Sequence, residues 1–424
     1  MTTTNEDNLE YINHVTEEDV KYVLKSSGFT NNDITYNYVV KNASNKMLGF
    51  LSDYWRLQVV VKSKSQKQVL SFFIKAVSRS NAAKAKVVKE LNLFEKESTF
   101  YSVIKTALYV PGLKPWSAEL ITTLNDAMVF QDLNAMQYTL RNKFQRFDTA
   151  HTLQALQTLS RFHGSSIIFE IKKSKELRKP FSINDEFGQY LDNGAYISTD
   201  PWYIQCMTGV LEAVRIYSKY HTDSKVMKEI ESRWTDIWNT ACNLSESSPK
   251  RTKVICHRDL WVNNVLFHYK ADTNEPDDCV LVDFQAVKCQ PPAADVMLLL
   301  YCNLEPKFRE ENMKMFLNYY YEQLKIVLND NSVRINDVLP KEEFLATSEE
   351  YRLWGVVVCA CLIPQFWVDD ELTKSIFCDA VQFNEILSKD KASFIKKMMQ
   401  ENEDYKISVM NIFNEIVERY CIQK

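Results

Sequence analysis

The chain has 424 residues, more than the roughly 250–300 at which a single hydrophobic core stops growing, so two lobes or domains are expected. Its 46% hydrophobic and 25% charged residues, with 8 glycines and 11 prolines, are typical of a globular protein and exclude long low-complexity stretches. The net charge of −4 predicts no nucleic-acid partner. Without a secretory signal or a run of about 20 apolar residues, the sequence predicts a cytoplasmic protein with no membrane span.

The first third of the chain is rich in predicted strands. Strand-like runs at 55–61 and 69–77, joined by the polar segment KSKSQKQ, predict a hairpin, and a second hairpin is expected around Asn125. Between them, Val87, Leu91, Phe94 and Tyr101 recur at helical spacing and predict one helix over 81–104. Before these elements, residues 1–35 are predicted to be helical and acidic, and a β-rich stretch is predicted to begin at 34–40.

Later in the chain, apolar residues take helical spacing at 151–162, at 202–243 and from 294 onward. A short β insert at 254–283 interrupts these helices. The apolar run 356–363 is too short to cross a bilayer and predicts a buried core helix. The sequence therefore predicts an α+β fold with a β-rich N-terminal lobe (1–130), a hinge (131–134) and a mainly helical C-terminal lobe (135–424).

The segment HRDLWVNN at 257–264 matches H-x-D-x-x-x-x-N, the catalytic-loop pattern of phosphoryl-transfer enzymes. In this pattern Asp259 receives or orients the proton of the acceptor hydroxyl, Asn264 binds a magnesium ion and His257 supports the loop. A purely structural reading stays open, with Asp259 in a turn and Asn264 as a helix cap.

A second strand-like run at 279–282 ends at Asp283. If it pairs with the run at 265–267, Asp283 returns beside Asn264, and two oxygen ligands converge as Mg²⁺ requires. The alternative is an aspartate that merely ends a strand.

The N-terminal lobe holds the residue types that such a site needs. Lys75 is the only charge in the apolar run SFFIKAV, and Glu97 shares the inward helix face with Phe94 and Tyr101, with Glu90 as a second candidate. Lys75 would then contact phosphates while Glu97 holds it. The alternatives are a lysine that extends from a sheet edge to solvent and a solvated glutamate.

A loop that covers the phosphates should precede the strand at 55. Only Gly49 is available there, in KMLGFLSDYW, and a full G-x-G-x-x-G is absent. A tight turn near 49–53 could still present backbone N–H groups to phosphates.

A protein kinase is the less favoured interpretation of this motif. Asp283 is followed by Phe284-Gln285 rather than Phe-Gly, Asp295 follows too soon for a long activation segment, and no Ala-Pro-Glu motif is present. Asp295 is better explained as a support for the catalytic-loop backbone, with a helix N-cap as the alternative.

The segments CHRDLWVNNVLF, LVDFQAV and AADVMLLL, together with FIKAV, LFEKESTFY, VFQDL and ALQTLSRFHGSS, resemble the ecdysteroid kinase-like family of insects, which is grouped with aminoglycoside phosphotransferases and choline kinases. The resemblance spans roughly 40–420. It implies a bilobal protein-kinase-like fold of the aminoglycoside phosphotransferase type, with ATP and Mg²⁺ as cofactors. It also implies that the chain phosphorylates a hydroxyl of an ecdysteroid or another hydroxylated small molecule, including xenobiotics in detoxification.

The same resemblance assigns roles to individual residues. It implies a catalytic Asp259, metal ligands Asn264 and Asp283, a phosphate-binding Lys75 with Glu97 as its partner, and an adenine-contacting backbone at Gln131, Asp132 and Leu133. Two positions depart from the family pattern, because Arg258 stands where glycine is commoner and Gln131 where glutamate is usual. Neither departure removes a catalytic group.

The acceptor site is the least specified part. An aromatic surface that could line a steroid-sized pocket is offered by Trp354, Phe366, Trp367, Phe377 and Phe383, although ordinary core packing explains each of them as well. A nucleotide- or steroid-binding regulator with weak catalysis is the alternative function, and the intact set of lysine, glutamate, asparagine and two aspartates argues against it.

Overall fold

The computed structural model describes residues 15–30, 34–44, 48–63, 67–191, 196–246 and 251–422. Within these ranges a lobe built on a five-stranded sheet precedes a larger helical lobe, which confirms the predicted α+β fold class. The elements of the first lobe are α1 (Glu17–Ser26), β1 (Thr35–Asn42), β2 (Ser52–Lys62), β3 (Lys67–Val77), α2 (Ala82–Glu90), α3 (Leu93–Thr99), a π-helical turn (Phe100–Ile104), α4 (Lys105–Ala107), β4 (Leu120–Thr123) and β5 (Ala127–Gln131).

The sheet has the strand order β1-β2-β3-β5-β4, and neighbouring strands are antiparallel. Burial alternates along β2, where Trp55, Leu57 and Val59 pack against α1 in a small core of their own. The opposite face carries Lys75, with Tyr54 of β2 and Met128 of β5 as its cross-strand neighbours. The sheet therefore separates a core under α1 from a face that looks toward the second lobe.

The single helix predicted over 81–104 is wrong. The chain breaks after α2, where Asn92 takes the left-handed conformation (φ 52°), and Leu91, expected on the inward face, is exposed. Asparagine tolerates this conformation better than most non-glycine residues, so helical spacing continues across a break that it does not signal. The break makes α3 a separate helix, and α3 carries Glu97.

The second lobe contains most of the helices. Its elements are β6 (Thr139–Leu140), α5 (Thr149–Leu177), α6 (Ile183–Leu191), α7 (Pro201–Tyr217), α8 (Ser224–Ser245), β7 (Val254–Cys256), a 3₁₀ turn (Val262–Asn264), β8 (Val265–Tyr269), β9 (Pro276–Leu281), a 3₁₀ turn (Phe284–Ala286), β10 (Lys288–Gln290), α9 (Ala293–Asn303), α10 (Pro306–Asn329), α11 (Ile335–Val338), α12 (Lys341–Glu350), α13 (Arg352–Phe366), α14 (Asp370–Cys378), α15 (Ala380–Ser388), α16 (Lys391–Glu401), α17 (Glu403–Ile416) and a π-helical turn (Val417–Cys421).

Several predicted elements differ in extent. The helical stretch at 202–243 is divided into α7 and α8, and the helix expected at 151–162 is the longer α5. The predicted hairpin of β8 and β9 is confirmed, with Val265 opposite Leu281. The short strands β6 and β10, which have too few residues for a pattern, were not predicted; β6 pairs with β8 and β10 with β7.

Helices α9 and α13 form the centre of this lobe. Every residue of α9 is buried, and α13 contains the apolar run 356–363, which confirms the predicted core helix. An added Cβ at Gly355 would lie 2.7 Å from a ring carbon of Tyr301, so the glycine allows the two helices to approach closely. In the described part of the chain no single helix could cross a membrane; α13 and α14 meet the length and composition criteria only as a pair that is bent by 93°.

Candidate active site

Three charged side chains meet between the lobes. Nζ of Lys75 on β3 lies 2.5 Å from Oε2 of Glu97 on α3 and 2.7 Å from Oδ1 of Asp283, just after β9. The lysine and the glutamate are almost fully buried, so this contact joins the sheet, the helix and the second lobe. Glu90, the other helix candidate, is exposed and pairs with Lys86.

The charges of this triad depend on one another. Burial alone would lower the pKa of Lys75, but the carboxylates of Asp283 and Glu97 outweigh it and raise that pKa well above its ordinary value. Burial raises the pKa of Glu97 to about 7, although Lys75 opposes this shift. The lysine is therefore a charged ammonium held in place, which is the form that attracts phosphate oxygens.

The catalytic-loop segment 257–264 is hydrogen-bonded to Asp295, in the first turn of α9. Oδ2 of Asp295 accepts the backbone N–H of His257 at 2.6 Å, and its Oδ1 accepts that of Arg258 at 2.9 Å. Nε2 of the buried His163 on α5 lies 3.1 Å from the same carboxylate. Arg258 has φ 67°, a conformation that bulky residues rarely adopt, and these bonds hold it there. The N-cap position of α9 is occupied by Pro292, so Asp295 is not the N-cap residue of this helix. Its carboxylate bonds to the catalytic loop instead.

The ring of His257 ties the loop to the end of β9. Its Nε2 lies 2.9 Å from the carbonyl oxygen of Val282, and its Nδ1 lies 3.3 Å from the backbone N–H of Asp259. A neutral ring that donates through Nε2 and accepts through Nδ1 satisfies both bonds. Burial also lowers the pKa of His257, which favours that neutral form.

Asp259 and Asn264 face the triad from the second lobe. Nδ2 of Asn264 donates to the backbone oxygen of Asp259 at 2.8 Å and to its Oδ2 at 2.9 Å, which turns the amide oxygen away from Asp259. The backbone N–H of Val282 donates to the carbonyl of Asn264 at 3.1 Å and brings Asp283 alongside. Burial, and then the charge of Asp283, raise the pKa of Asp259 to about 8. This all-oxygen set suits Mg²⁺, whose charge would offset the repulsion between the two carboxylates.

Phe284 fixes the position of Asp283. Its ring stacks on Phe100 of the π-helical turn after α3, with centroids 4.5 Å apart and planes 9° from parallel. It also contacts Tyr101, Phe162 and His257 edge-on or at a tilt. Because Phe100 follows Glu97 by three residues, this buried contact couples the positions of Glu97 and Asp283, the two carboxylates that hold Lys75.

Residues 48–51, which directly precede β2 and are here called the covering loop, lie beside the catalytic loop. The backbone oxygen of Leu48 accepts a hydrogen bond at 3.3 Å from Nδ2 of Asn263 in the catalytic loop. A Cβ added to the neighbouring Gly49 would collide with the hydroxyl of Tyr54, which lies opposite Lys75 on β2. A side chain at position 49 would therefore have to displace the Tyr54 hydroxyl.

We expect Gly49→Ala to weaken nucleotide affinity about fivefold or more, because the added methyl group must displace Tyr54 or lift the loop. Adding Tyr54→Phe should restore part of the affinity, since the colliding atom is the hydroxyl oxygen. Titration with a fluorescent ATP analogue measures both effects. An unchanged dissociation constant in Gly49→Ala would contradict this role of the glycine.

The predicted adenine-contacting residues connect the lobes. Gln131 ends β5 and is exposed, whereas the buried carboxylate of Asp132 accepts hydrogen bonds from Nε of Arg56 at 2.8 Å and from Oγ of Ser71 at 2.6 Å. The carbonyl oxygen of Leu133 accepts the N–H groups of two following residues. The Asp132 side chain thus anchors the connection to β2 and β3, and contact with adenine through the backbone stays a prediction.

The five predicted pocket residues are all buried, and Trp354, Phe366 and Trp367 lie in different surroundings. Trp354 packs under Tyr196 and Arg258, and Trp367 lies against the guanidinium of Arg146. Phe366 stacks on Trp261, two residues after Asp259, with ring centroids 4.9 Å apart. Trp354 and Phe366 therefore both contact residues of the catalytic loop.

Other residues of the site were not identified as such from the sequence. Tyr54, Phe50 and Trp261 are aromatic side chains next to recognised motifs, and that proximity was the available signal. His163 lies in the segment ALQTLSRFHGSS, but nothing local shows that it reaches Asp295, which is 132 positions later.

Comparison with known proteins places the chain in a family. The model of the ecdysteroid kinase-like family matches residues 46–332, more than half of the chain. An uncharacterized kinase-like protein of Caenorhabditis elegans is 24% identical over 316 residues, which cover 69% of this chain and 75% of that protein.

Two solved structures are similar over most of their length. One is the choline kinase of Cryptosporidium parvum Iowa II (11% identity, 96% of this chain, 98% of that chain, TM-score 0.40). The other is the GDP complex of a mutant aminoglycoside 2′-phosphotransferase-IIIa (8% identity, 94% of this chain, 97% of that chain, TM-score 0.38). On the strength of the family match, the chain belongs to the ecdysteroid kinase-like family.

Proposed function

We propose that this protein is an ATP- and Mg²⁺-dependent kinase of a small hydroxylated molecule, with an ecdysteroid or a xenobiotic alcohol as its acceptor. The observation that carries the proposal is the meeting of Lys75, Glu97, Asp283, Asn264 and Asp259 at one point between the lobes. Family membership supports the phosphotransferase chemistry.

Each residue then has a defined task. Lys75, held by Glu97, binds phosphate oxygens, while the backbone of Gln131 to Leu133 meets adenine. Asn264 and Asp283 hold Mg²⁺, which neutralises phosphate charge when it is bound. Asp259 orients the acceptor hydroxyl and takes its proton as the new oxygen–phosphorus bond forms and the bond from the γ-phosphorus to ADP breaks. Positioning and charge neutralisation supply most of the rate.

The chain after Asp283 supports a small acceptor over a peptide. Only the 3₁₀ turn and β10 separate Asp283 from α9, so the platform on which a protein substrate would dock has no room there. Asp295, near the start of α9, is already engaged with the catalytic loop.

A transfer assay with γ-labelled ATP tests this proposal. The acceptor panel would hold ecdysteroids, plant alcohols, choline, an aminoglycoside and a peptide mixture. We expect Mg²⁺-dependent label on one of the small alcohols and none on the peptides. Label on peptides alone would contradict the proposal, and nucleotide binding without transfer to any acceptor would favour the regulatory alternative.

A further inference from the structure

The covering loop is held down by a stack of four aromatic rings, here called the aromatic stack: Phe366, Trp261, Phe50 and Phe377. Phe50 follows Gly49, and its ring lies 5.5 Å from Trp261 with planes 10° from parallel. On its other side Phe50 contacts Phe377 of α14 at 4.5 Å. Trp261 in turn stacks on Phe366, at the end of α13, at 4.9 Å. These separations are typical of favourable aromatic pairs.

The backbone at Phe377, the last ring of the aromatic stack, is hydrogen-bonded to the N-terminal lobe. Nδ2 of Asn81, just before α2, donates to the backbone oxygens of Phe377 at 3.3 Å and Cys378 at 3.1 Å. Oδ1 of the same asparagine caps α2 by accepting the N–H groups of Ala83 and Lys84. The end of α14 is therefore hydrogen-bonded to the N-terminal lobe through Asn81.

The aromatic contacts of Phe50 lie in a segment that is poor in glycine. A glycine-rich loop presents its backbone to phosphates, but here Gly49 is the only glycine between β1 and β2. Its neighbour Phe50 is instead enclosed between a catalytic-loop residue and a C-terminal helix. The loop has a side-chain anchor where a glycine-rich loop would depend on its backbone.

We propose that Phe377 and Asn81 are positioning residues that, through Phe50, hold the covering loop against Trp261 of the catalytic loop, so that the end of α14 is part of the nucleotide-binding machinery. This inference rests on the proposed function for its effect on nucleotide. The end of α14 lies beyond residues 46–332, the part that matches the family model.

Two variants test in different ways whether α14 holds the covering loop in place. Phe377→Ala removes the outer ring, whereas Asn81→Asp keeps the α2 cap but loses the donor to the Phe377 and Cys378 oxygens. Phe377→Tyr keeps the ring as a conservative rescue. Val381→Ala is the matched control, because Val381 lies on the adjoining α15 with its side chain 76% exposed.

The first readout needs no nucleotide. Hydrogen exchange of the amides at 48–51 should quicken in Phe377→Ala and Asn81→Asp and stay unchanged in Phe377→Tyr and Val381→Ala. The second readout is release of a fluorescent ATP analogue in stopped flow. We expect release to quicken about tenfold in the first two variants, with KM for ATP rising more than kcat changes.

If hydrogen exchange and release of the ATP analogue were both unchanged in Phe377→Ala and Asn81→Asp, the proposed role of Phe377 and Asn81 would be wrong. If the wild-type protein bound no nucleotide while hydrogen exchange still quickened in both variants, Phe377 and Asn81 would hold the covering loop as proposed, but the proposed function would be wrong. The two failures are therefore distinguishable.

Discussion

Asp259→Asn should lower phosphoryl transfer by about 10²–10⁴-fold, the contribution of a positioned general base. The introduced amide can still accept the hydrogen bond from Nδ2 of Asn264, so the loop keeps its shape but loses the group that takes up the acceptor proton. Because Asp259 acts on the acceptor, the dissociation constant for ATP should change by no more than about threefold. Steady-state kinetics with the acceptor found in the transfer assay, together with nucleotide titration, measure the two quantities.

The matched control for this variant is Asp272→Asn. Asp272 is an exposed aspartate in the turn between β8 and β9. It should leave both quantities unchanged. Transfer by Asp259→Asn at a rate close to the wild-type value would remove Asp259 from the chemistry.

Asp295→Asn should lower the free energy of unfolding by about 2–4 kcal/mol, since charge-assisted hydrogen bonds from two backbone N–H groups depend on this fully buried carboxylate. An amide offers one acceptor oxygen where the carboxylate offers two, so the N–H group of either His257 or Arg258 meets another donor. The left-handed conformation of Arg258 loses its support at the same time.

Urea unfolding measures this loss, and Asp223→Asn is its control. Asp223 is an exposed N-cap of α8, where asparagine caps equally well, so we expect a change of less than about 0.5 kcal/mol. An equally small change for Asp295→Asn would mean that Asp295 contributes no more than an ordinary helix cap.

Local pattern was sufficient for the fold class and for the groups of the candidate site. A charge inside an apolar strand singled out Lys75, and the spacing of HRDLWVNN, followed by a strand ending at Asp283, singled out the opposite side of the cleft. Both signals lie within short segments whose geometry follows from strand and hairpin pairing. The structure places these residues together; their catalytic roles, the adenine contact at 131–133 and the lobe boundaries stay predictions.

What the sequence could not predict depends on contacts between distant segments. The break at Asn92 leaves the helical spacing intact on both sides, so Leu91 was assigned to the wrong face. The aromatic stack gathers Phe50, Trp261, Phe366 and Phe377 from three separate regions, and no periodicity connects them. Phe366 stacks on Trp261, a contact that the sequence does not signal, and its place in a substrate pocket stays a prediction.

The proposed function requires that Asp283 holds the metal of a nucleotide site, and thermal unfolding with ATP tests this requirement without knowledge of the acceptor. Ligand that binds only the native state raises the midpoint by linkage, and ATP at about 100 times its dissociation constant should raise it by roughly 2–5 °C when Mg²⁺ is present. The expected result is a Mg²⁺-dependent rise in the unfolding midpoint of the wild-type protein that is lost in Asp283→Asn. An equal rise in that variant, or no rise at millimolar ATP in the wild type, would contradict it.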